Sequence, residues 1–410
     1  MLLKFPCNTF IRSVTDSARK GAFVVCLLAT SNLAVGNEEQ DIQLHGFVAQ
    51  GLIDVDGSNY VNNDEKPSAE LTELGFNASY QYSDNLRFSG QAVYLNGGNR
   101  YVEGFHIDYL LMDWSAFTND KWQVNLYLGR IKNYHWLYSS TRDVPMTRPS
   151  IILPQSVYFD ATRNMSVGGD GGALTAKYFS DDLGDFDFRI SSSYSNISDE
   201  QAKIILGPMS NGDLAHKADF QSSVYWAPLG TNWRFGLAMT DATFQYEKER
   251  ESAFTDGDLA LTRHYLNGEY QGDNWTFSFE LLQEKMKLEG FMSDTFIQEK
   301  TGQGGFAQLE YIYGTNVKLL GRLEHYYADK DDKTGAHLAE TTNGFVPKHF
   351  GYQHEAVIGA TIDITTNVQI QLEHHWVKGT ARLTPVVLPN PLVNNHEYWQ
   401  ISAIQIVYWF

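Results

Sequence analysis

The last fifteen residues, His396 to Phe410, read HEYWQISAIQIVYWF. Counting back from Phe410 in steps of two gives Tyr408, Ile406, Ile404 and Ser402, an apolar or small face suited to lipid. The intervening Trp409, Val407, Gln405, Ala403 and Ile401 form a mixed face. A strand with this alternation that requires a partner on both edges is a closing strand of a barrel, although the edge strand of a soluble sheet can end in the same way. The decision therefore rests on the rest of the chain.

Seven short polar turns recur, each followed at once by a large apolar residue. They are Ser83 to Asn85 before Leu86, Thr118 to Lys121 before Trp122, Asp181 to Asp185 before Phe186, Pro228 to Asn232 before Trp233, Gly272 to Asn274 before Trp275, Gly314 to Asn316 before Val317, and Thr365 to Asn367 before Val368. Turns of this chemistry mark tight β connections. Longer polar segments lie between them, so short and long connections alternate. Seven turns join fourteen strands, and a first strand over Leu44 to Val55 plus the closing strand brings the total to sixteen. Period-two alternation supports the assignment. Leu74, Phe76, Ala78, Tyr80 and Tyr82 oppose Glu73, Asn77, Ser79 and Gln81, and Trp275, Phe277, Phe279 and Leu281 oppose Thr276, Ser278 and Glu280. The strand Phe105 to Phe117 resists phasing around Leu110, Leu111 and Met112. Aromatics crowd the short-turn end at Tyr82, Phe117, Trp122, Phe179, Phe186, Trp226, Trp233, Trp275 and Tyr313, which is one interfacial girdle of a membrane barrel.

The N-terminus carries Lys4, Arg12, Arg19 and Lys20, then an apolar run from Ala22 to Ala29, then Ala34-Val35-Gly36 before a polar stretch. This is the form of a cleavable secretory signal over residues 1–36, leaving a barrel of residues 37–410. The apolar run is well short of the ~20 residues of a membrane-spanning helix. Cys26 follows Val25 rather than a small residue, which argues against lipoprotein processing. Both cysteines, Cys7 and Cys26, lie in the removed segment, so the mature chain has none. Formal net charge is −18, and loss of four basic residues and Asp16, a net +3, makes the mature chain about −21. That balance argues against nucleic acid as a partner. A slightly negative mean hydropathy does not exclude a membrane, because barrel strands alternate.

The longest connection, Lys132 to Met165, reads KNYHWLYSSTRDVPMTRPSIILPQSVYFDATRNM. Its apolar Ile151-Ile152-Leu153 is better placed inward against a wall than in water, and a connection of that length is usually functional. A long third loop after the fifth strand, together with a terminal Phe on an alternating strand, resembles the sixteen-stranded diffusion porins of the Gram-negative outer membrane. The run Gly129-Arg130, Lys132, Tyr138, Arg142-Asp143 is similar to the equivalent stretch of some porins outside the enterobacterial type, whose Pro-Glu-Phe-Gly-Gly tract is absent here. The resemblance implies an all-β, sixteen-stranded antiparallel transmembrane barrel with short periplasmic turns, long external loops and an inward third loop. It further implies an outer-membrane location, passive passage of small hydrophilic solutes and ions, no cofactor, and no enzymatic activity. Implied partners are membrane lipid and lipopolysaccharide, the barrel assembly machinery that reads Tyr408 and Phe410, and further copies in a homotrimer. Arg142, Asp143 and Arg148 would line the constriction, with Arg130 and Lys132 at its root, unless Arg142 and Asp143 pair and pin the loop. Arg130 falls on the lipid side by phase and reaches the pore only if Gly129 marks a bulge.

Lumen-facing charge divides by wall. Arg87, Lys177, Arg189 and Arg234 are basic, whereas Glu269, Glu280, Glu284, Glu310, Glu324, Glu355, Asp363 and Glu373 are acidic and relieved only by Arg263, Lys318 and Arg322. The two signs would face each other across water and give a mild cation preference carried by Glu280, Glu310 and Glu355, unless these pair with Lys318 and Arg322. Two other classes are considered: a structural barrel sheathing a partner protein, which should lack an internal constriction, and an outer-membrane hydrolase. Against the second, His374 and His375 face opposite ways on a strand, with His375 toward the lumen. No nucleophile elbow, zinc-ligand spacing or nucleotide loop is present, and Gly168 to Gly172 leads into a strand rather than a helix.

Overall fold

The structure, a computed structural model, describes residues 42–410 apart from 65, 251, 388 and 389. The expected signal segment lies outside the described residues. Sixteen antiparallel strands close into one barrel in which each neighbours the next in sequence and β1 meets β16. They are β1 (Ile42–Asp56), β2 (Thr72–Ser83), β3 (Leu86–Asn96), β4 (Gly104–Thr118), β5 (Trp122–Lys132), β6 (Gly168–Ser180), β7 (Gly184–Tyr194) and β8 (Gly212–Pro228). The second half comprises β9 (Trp233–Lys248), β10 (Gly257–Gln271), β11 (Trp275–Gly290), β12 (Ile297–Tyr313), β13 (Val317–Tyr327), β14 (Tyr352–Thr365), β15 (Val368–Gly379) and β16 (Tyr398–Trp409). The seven turns read from sequence are the seven short connections. The first strand extends past the expected Leu44 to Val55 at both ends, and the third loop occupies Asn133 to Val167.

β11 shows why these sequences form a membrane barrel. From the short turn upward its outward residues are Trp275, Phe277, Phe279 and Leu281, then Gln283, Lys285, Lys287 and Glu289, while Ser278, Glu280, Leu282 and Glu284 are buried inside. The apolar outward part covers ~20 Å of strand at ~3.4 Å per residue, the scale of a barrel's lipid-facing band. Leu309, Leu323, Ile358 and Ile406 continue that exposed band on neighbouring strands. Among the described residues no helix is long and apolar enough to cross a membrane. In hydrocarbon, an unpaired N–H or C=O costs several kcal/mol, so closure is the condition for spanning with strands.

β4 is irregular because it carries two bulges. The register with β3 shifts opposite Gln91 and Ala92, and that with β5 shifts between Ser115 and Phe117. The first shift turns Asp108 inward while Ile107 and Leu110 both face lipid. Each bulge reverses the period-two phase, which is what made the sequence around Leu110 unreadable.

The seam pairs Phe47 with Trp409 through Asp56 with Gln400. It is extended by two backbone bonds between Gly46 and Phe410, of 3.1 and 3.0 Å. A Cβ on Gly46 would stand 2.5 Å from the Phe410 ring. Gly46→Val and deletion of Phe410 should therefore both impair closure, and Phe410→Ser with Tyr408→Ser should do so less because the backbone pairs remain. Heat-modifiable gel mobility checks this: an unchanged unfolding temperature for Gly46→Val would show that the seam is not set there.

Candidate functional site: the third loop in the lumen

β5 ends at Lys132 and the chain turns inward, so the third loop packs against the inner wall. Its apolar residues supply the reason. Ile151 and Ile152 join Ile53, Val55, Val377, Trp399 and Ile401 in one cluster. Trp136, Tyr138, Leu153, Val157 and Tyr158 join Ala238, Tyr265, Leu282 and Phe306 in a second, with Trp136 stacked on Tyr265 at 4.8 Å. Full burial of each such side chain contributes ~1.5–3 kcal/mol relative to water.

Polar docking is supplied by the acidic wall. Glu373 accepts from the backbone N–H of Ile151 and of Ile152, the latter at 3.1 Å. Glu324 accepts from Ser156 N–H at 2.9 Å. Glu280 accepts from Leu137 N–H at 3.3 Å, from the Tyr158 hydroxyl at 2.5 Å and from Asn267. Arg322 donates to Ser150 Oγ and to the Ile152 carbonyl, at 3.0 and 3.1 Å. His375, fully buried, bridges Glu355 and Glu373. The loop thus uses the wall carboxylates as acceptors for backbone groups that strand pairing does not serve.

These contacts revise the expected pore lining. Glu280, Glu355 and Glu373 are covered by the loop or its anchors. Arg142, Asp143 and Arg148 are buried in ion pairs, and Arg142 and Asp143 do not pair with each other. Arg142 meets Asp160 at 2.9 Å, Arg148 meets Glu73 at 2.7 Å, and Asp143 meets Arg163 at 2.5 Å. Lys132 ends β5 where the loop begins, 2.5 Å from Asp108 and 3.8 Å from Asp143. Arg130 does not reach the lumen. Gly129 adopts a positive φ of 121°, yet the ladder to β4 and β6 runs through it without a register shift. Arg130 therefore stays outside, 3.3 Å from Asp170. Two of the spaces lined by loop and wall residues are cavities of about 20 Å³, about room for one water each.

On the short-turn side of the loop the lumen keeps accessible charge. Arg87 is half exposed beside Asp113 at 2.8 Å, and Lys177 is exposed. Arg189 bonds Asp187 and the Tyr134 carbonyl, and Arg234 stacks over Tyr225 at 4.1 Å. Glu269, Glu310 and Asp363 are partly exposed on the following wall, and Lys318 is exposed.

On the long-loop side the external loops interlock. Arg100 and Tyr60 of the second and first loops reach Asp160, at 3.7 and 3.0 Å. The helix Asp199–Leu206 of the fourth loop packs with Phe244, Tyr246, Phe254 and Phe291. The eighth loop, between β15 and β16, crosses to it: Val386 and Val387 donate backbone N–H to the Ile205 carbonyl at 3.0 and 2.9 Å. Its Arg382 is buried, 3.5 Å from Glu284, over the Tyr326 ring, and donating to the Ser156 carbonyl. Sequence reasoning missed Arg382, Asp160 and Arg163. Asp160 and Arg163 stand in the loop already singled out, whereas Arg382 has no local signal.

The arrangement defines a class by fold: a closed sixteen-stranded antiparallel β-barrel with an inward third loop, the fold of Gram-negative outer-membrane porins. No protein-family model matches the chain, and no curated protein sequence does. Solved structures do match in fold. OprB of Pseudomonas putida is 10% identical with a TM-score of 0.57, over 90% of this chain and 94% of its own. The outer membrane channel DcaP of Acinetobacter baumannii is 9% identical with a TM-score of 0.57, over 92% and 99%. The anion-selective porin from Comamonas acidovorans is 12% identical with a TM-score of 0.55, over 90% and 99%.

Burial alone would raise the Asp143 carboxyl, but the charges of Arg163 and Lys132 outweigh it and hold it below the usual carboxylate range. A depressed folded value means that its stabilisation is fully present above the unfolded value of about 3.9 and is lost as pH falls through the folded one. The loop should hence stay docked through pH 5, read by Trp136 fluorescence. Asp143→Asn should cost about 3–5 kcal/mol at neutral pH, because it strands the buried Arg163 charge and leaves Lys132 with Asp108 alone. Denaturant unfolding that shifts by less than about 1 kcal/mol would show that the pair is dispensable.

Proposed function

We propose that the protein is an outer-membrane diffusion channel for small hydrophilic solutes and ions, exported by a signal over residues 1–36 and assembled as a homotrimer. The observation that carries this reading is an apolar outer band around an inner wall bearing Arg87, Lys177, Arg189, Arg234, Glu269, Glu310 and Asp363 at the short-turn mouth. A sixteen-stranded barrel is wide enough for an aqueous channel. The solved structures similar in fold include a channel and an anion-selective porin, and one is described as a trimer form of OmpT from Vibrio cholerae. The short turns would lie on the periplasmic side, with Tyr408 and Phe410 presented to the assembly machinery and the outer band to lipid and lipopolysaccharide.

The sheath reading is disfavoured by the third loop, which folds into the lumen and packs against the inner wall. A hydrolase reading meets a specific obstacle at the best Ser–His arrangement. His135 contacts Ser191 Oγ at 2.8 Å and Ser223 Oγ at 3.1 Å, but it is fully buried. Burial, helped by Arg189, lowers its pKa to about 3, too weak a base for neutral-pH catalysis. Among the described residues no cluster of three or more His, Cys, Asp or Glu could hold a metal. Nothing in this reading requires a cofactor.

Two measurements test the proposal. In planar bilayers, deletion of residues 139–156 with a short linker should raise single-channel conductance several-fold, and Arg382→Ala should raise it less. A correctly folded deletion with unchanged conductance would remove the loop from the permeation path. For selectivity, the accessible carboxylates should matter rather than the covered ones. The triple variant Glu269→Gln, Glu310→Gln, Asp363→Asn should shift the reversal potential toward anions at low salt, and high salt should shrink the shift. An unchanged potential would mean that these groups do not face the ion path.

A further inference from the structure

At the base of the third loop four arginines line one cavity. Arg142, Arg148 and Arg163 come from the loop itself and Arg100 from the second loop, and the carboxylates among them are Glu73, Asp143 and Asp160. One positive charge is therefore in excess. Arg148 is matched by Glu73, and Arg163 with Lys132 by Asp143 and Asp108. The surplus thus falls on Arg100 and Arg142, which have only Asp160 between them. The next carboxylates along the wall are engaged elsewhere: Glu373 accepts from Ile151 and Ile152 N–H and shares His375 with Glu355. A buried charge left without a counter-charge is strongly destabilising.

Hydrogen bonding places the surplus more closely. All three bonds of the Arg142 guanidinium leave from Nη2, to the Tyr158 and Phe159 carbonyls and to Asp160, at 3.1, 3.4 and 2.9 Å. Its Nε–H and Nη1–H groups have no acceptor among the described residues. Arg148 uses both Nη groups on Glu73, and its Nη1 also donates to the Arg142 carbonyl at 3.1 Å, which sets the two arginines side by side. The Arg148 side chain is only 8% exposed, and its buried Nε–H has no acceptor among the described residues either. Of the four arginines Arg142 alone is held below the usual arginine value, because burial and the like charge of Arg163 outweigh Asp160 and Asp143. The cavity measures about 20 Å³, and Leu95, Ile151, Ile152 and Leu153 supply much of its remaining lining. It has room for one water or one small monovalent ion and is too small for phosphate, sulfate or an organic anion.

We propose that this cavity binds a single halide ion, held by the free N–H groups of Arg142 and Arg148. The ion takes up the surplus charge and gives an acceptor to donors that the protein leaves unserved. The apolar lining lowers the local polarity and strengthens both effects. A water molecule would accept the same hydrogen bonds but leave the charge uncompensated, so an anion is the better occupant. Arg142 and Arg148 bracket the short turn Pro145–Thr147, and a halide between them ties that segment to the loop's base. Docking of the third loop thereby becomes dependent on halide. The inference rests on the docked loop and not on conduction.

The test uses the full folded barrel with sodium bromide as the probe. Crystals grown in bromide are examined for anomalous scattering, and the unfolding temperature is followed by heat-modifiable mobility in bromide and, at equal ionic strength, in isethionate, which is too large to enter. The expected result is a bromide peak in contact with Arg142 and Arg148, and an unfolding temperature that climbs with bromide and levels off while isethionate leaves it lower. Arg142→Gln removes the surplus and leaves Asp160 to Arg100, and it should weaken apparent bromide affinity about tenfold or more. Arg148→Lys keeps a charge for Glu73 without the Nε–H at that position, and it serves if Arg142→Gln misfolds. Lys285→Gln on the outer face is the control and should leave the affinity unchanged. Density for a water alone in the cavity, bromide found only at exposed cations, equal stabilisation by isethionate, or unchanged affinity in the arginine variants would overturn the proposal. Single-channel conductance reports on the channel reading separately, so a barrel that holds bromide without conducting would count against that reading alone.

Discussion

Everything in this molecule follows from the requirement that no backbone polar group be left unpaired in hydrocarbon. Strands meet it only by closing, and here closure is completed between β1 and β16, where Gly46 and Phe410 extend the ladder at the short-turn end. Once the wall is closed, outward positions are surrendered to lipid and inward ones face whatever fills the lumen. The two faces are therefore chosen independently along a strand, which is how β11 can present Phe279 to lipid and Glu280 to the third loop from adjacent residues.

The interior solves a second problem of the same kind. A loop folded into a barrel carries its own unserved N–H groups, and here wall carboxylates accept several of them: Glu373 from Ile151 and Ile152, Glu324 from Ser156, Glu280 from Leu137. The wall and the loop are mutually dependent. Without the loop these carboxylates would be hydrated, and without them its backbone would be buried unsatisfied. This is why the acidic wall reads from sequence as a pore surface yet is, in its upper part, a docking surface.

Strand number, the seven turns, the inward loop and its apolar anchor were legible because each rests on a local signal. Period-two alternation, Asn- and Gly-bearing turns and the Ile151-Ile152-Leu153 run can all be read within a dozen residues. The β4 bulges were not, since a bulge shows only as lost phase. Partner choice was illegible for a different reason. Arg142 stands next to Asp143 in sequence, but adjacent side chains diverge, and each takes a partner from further along the loop, Asp160 and Arg163. Arg382 lies still further from its partner Glu284, about a hundred residues away, and only the folded eighth loop joins them.

Ion pairs around Asp160 and Asp143 form two runs of alternating sign at the loop's base. Arg100 and Arg142 share Asp160, Arg163 and Lys132 share Asp143, and Lys132 also meets Asp108. Each buried charge is offset by a neighbour, so the network as a whole adds little net stability over an apolar packing of equal shape, while loss of any one member exposes the rest to the full cost of an unpaired buried ion. Such a network favours one loop position sharply over nearby alternatives without making that position very stable. For a channel this separates two properties: the cross-section is fixed to within a side chain by the ion pairs, while the free energy holding the loop comes mainly from Ile151, Ile152, Trp136 and Tyr158 in the apolar clusters.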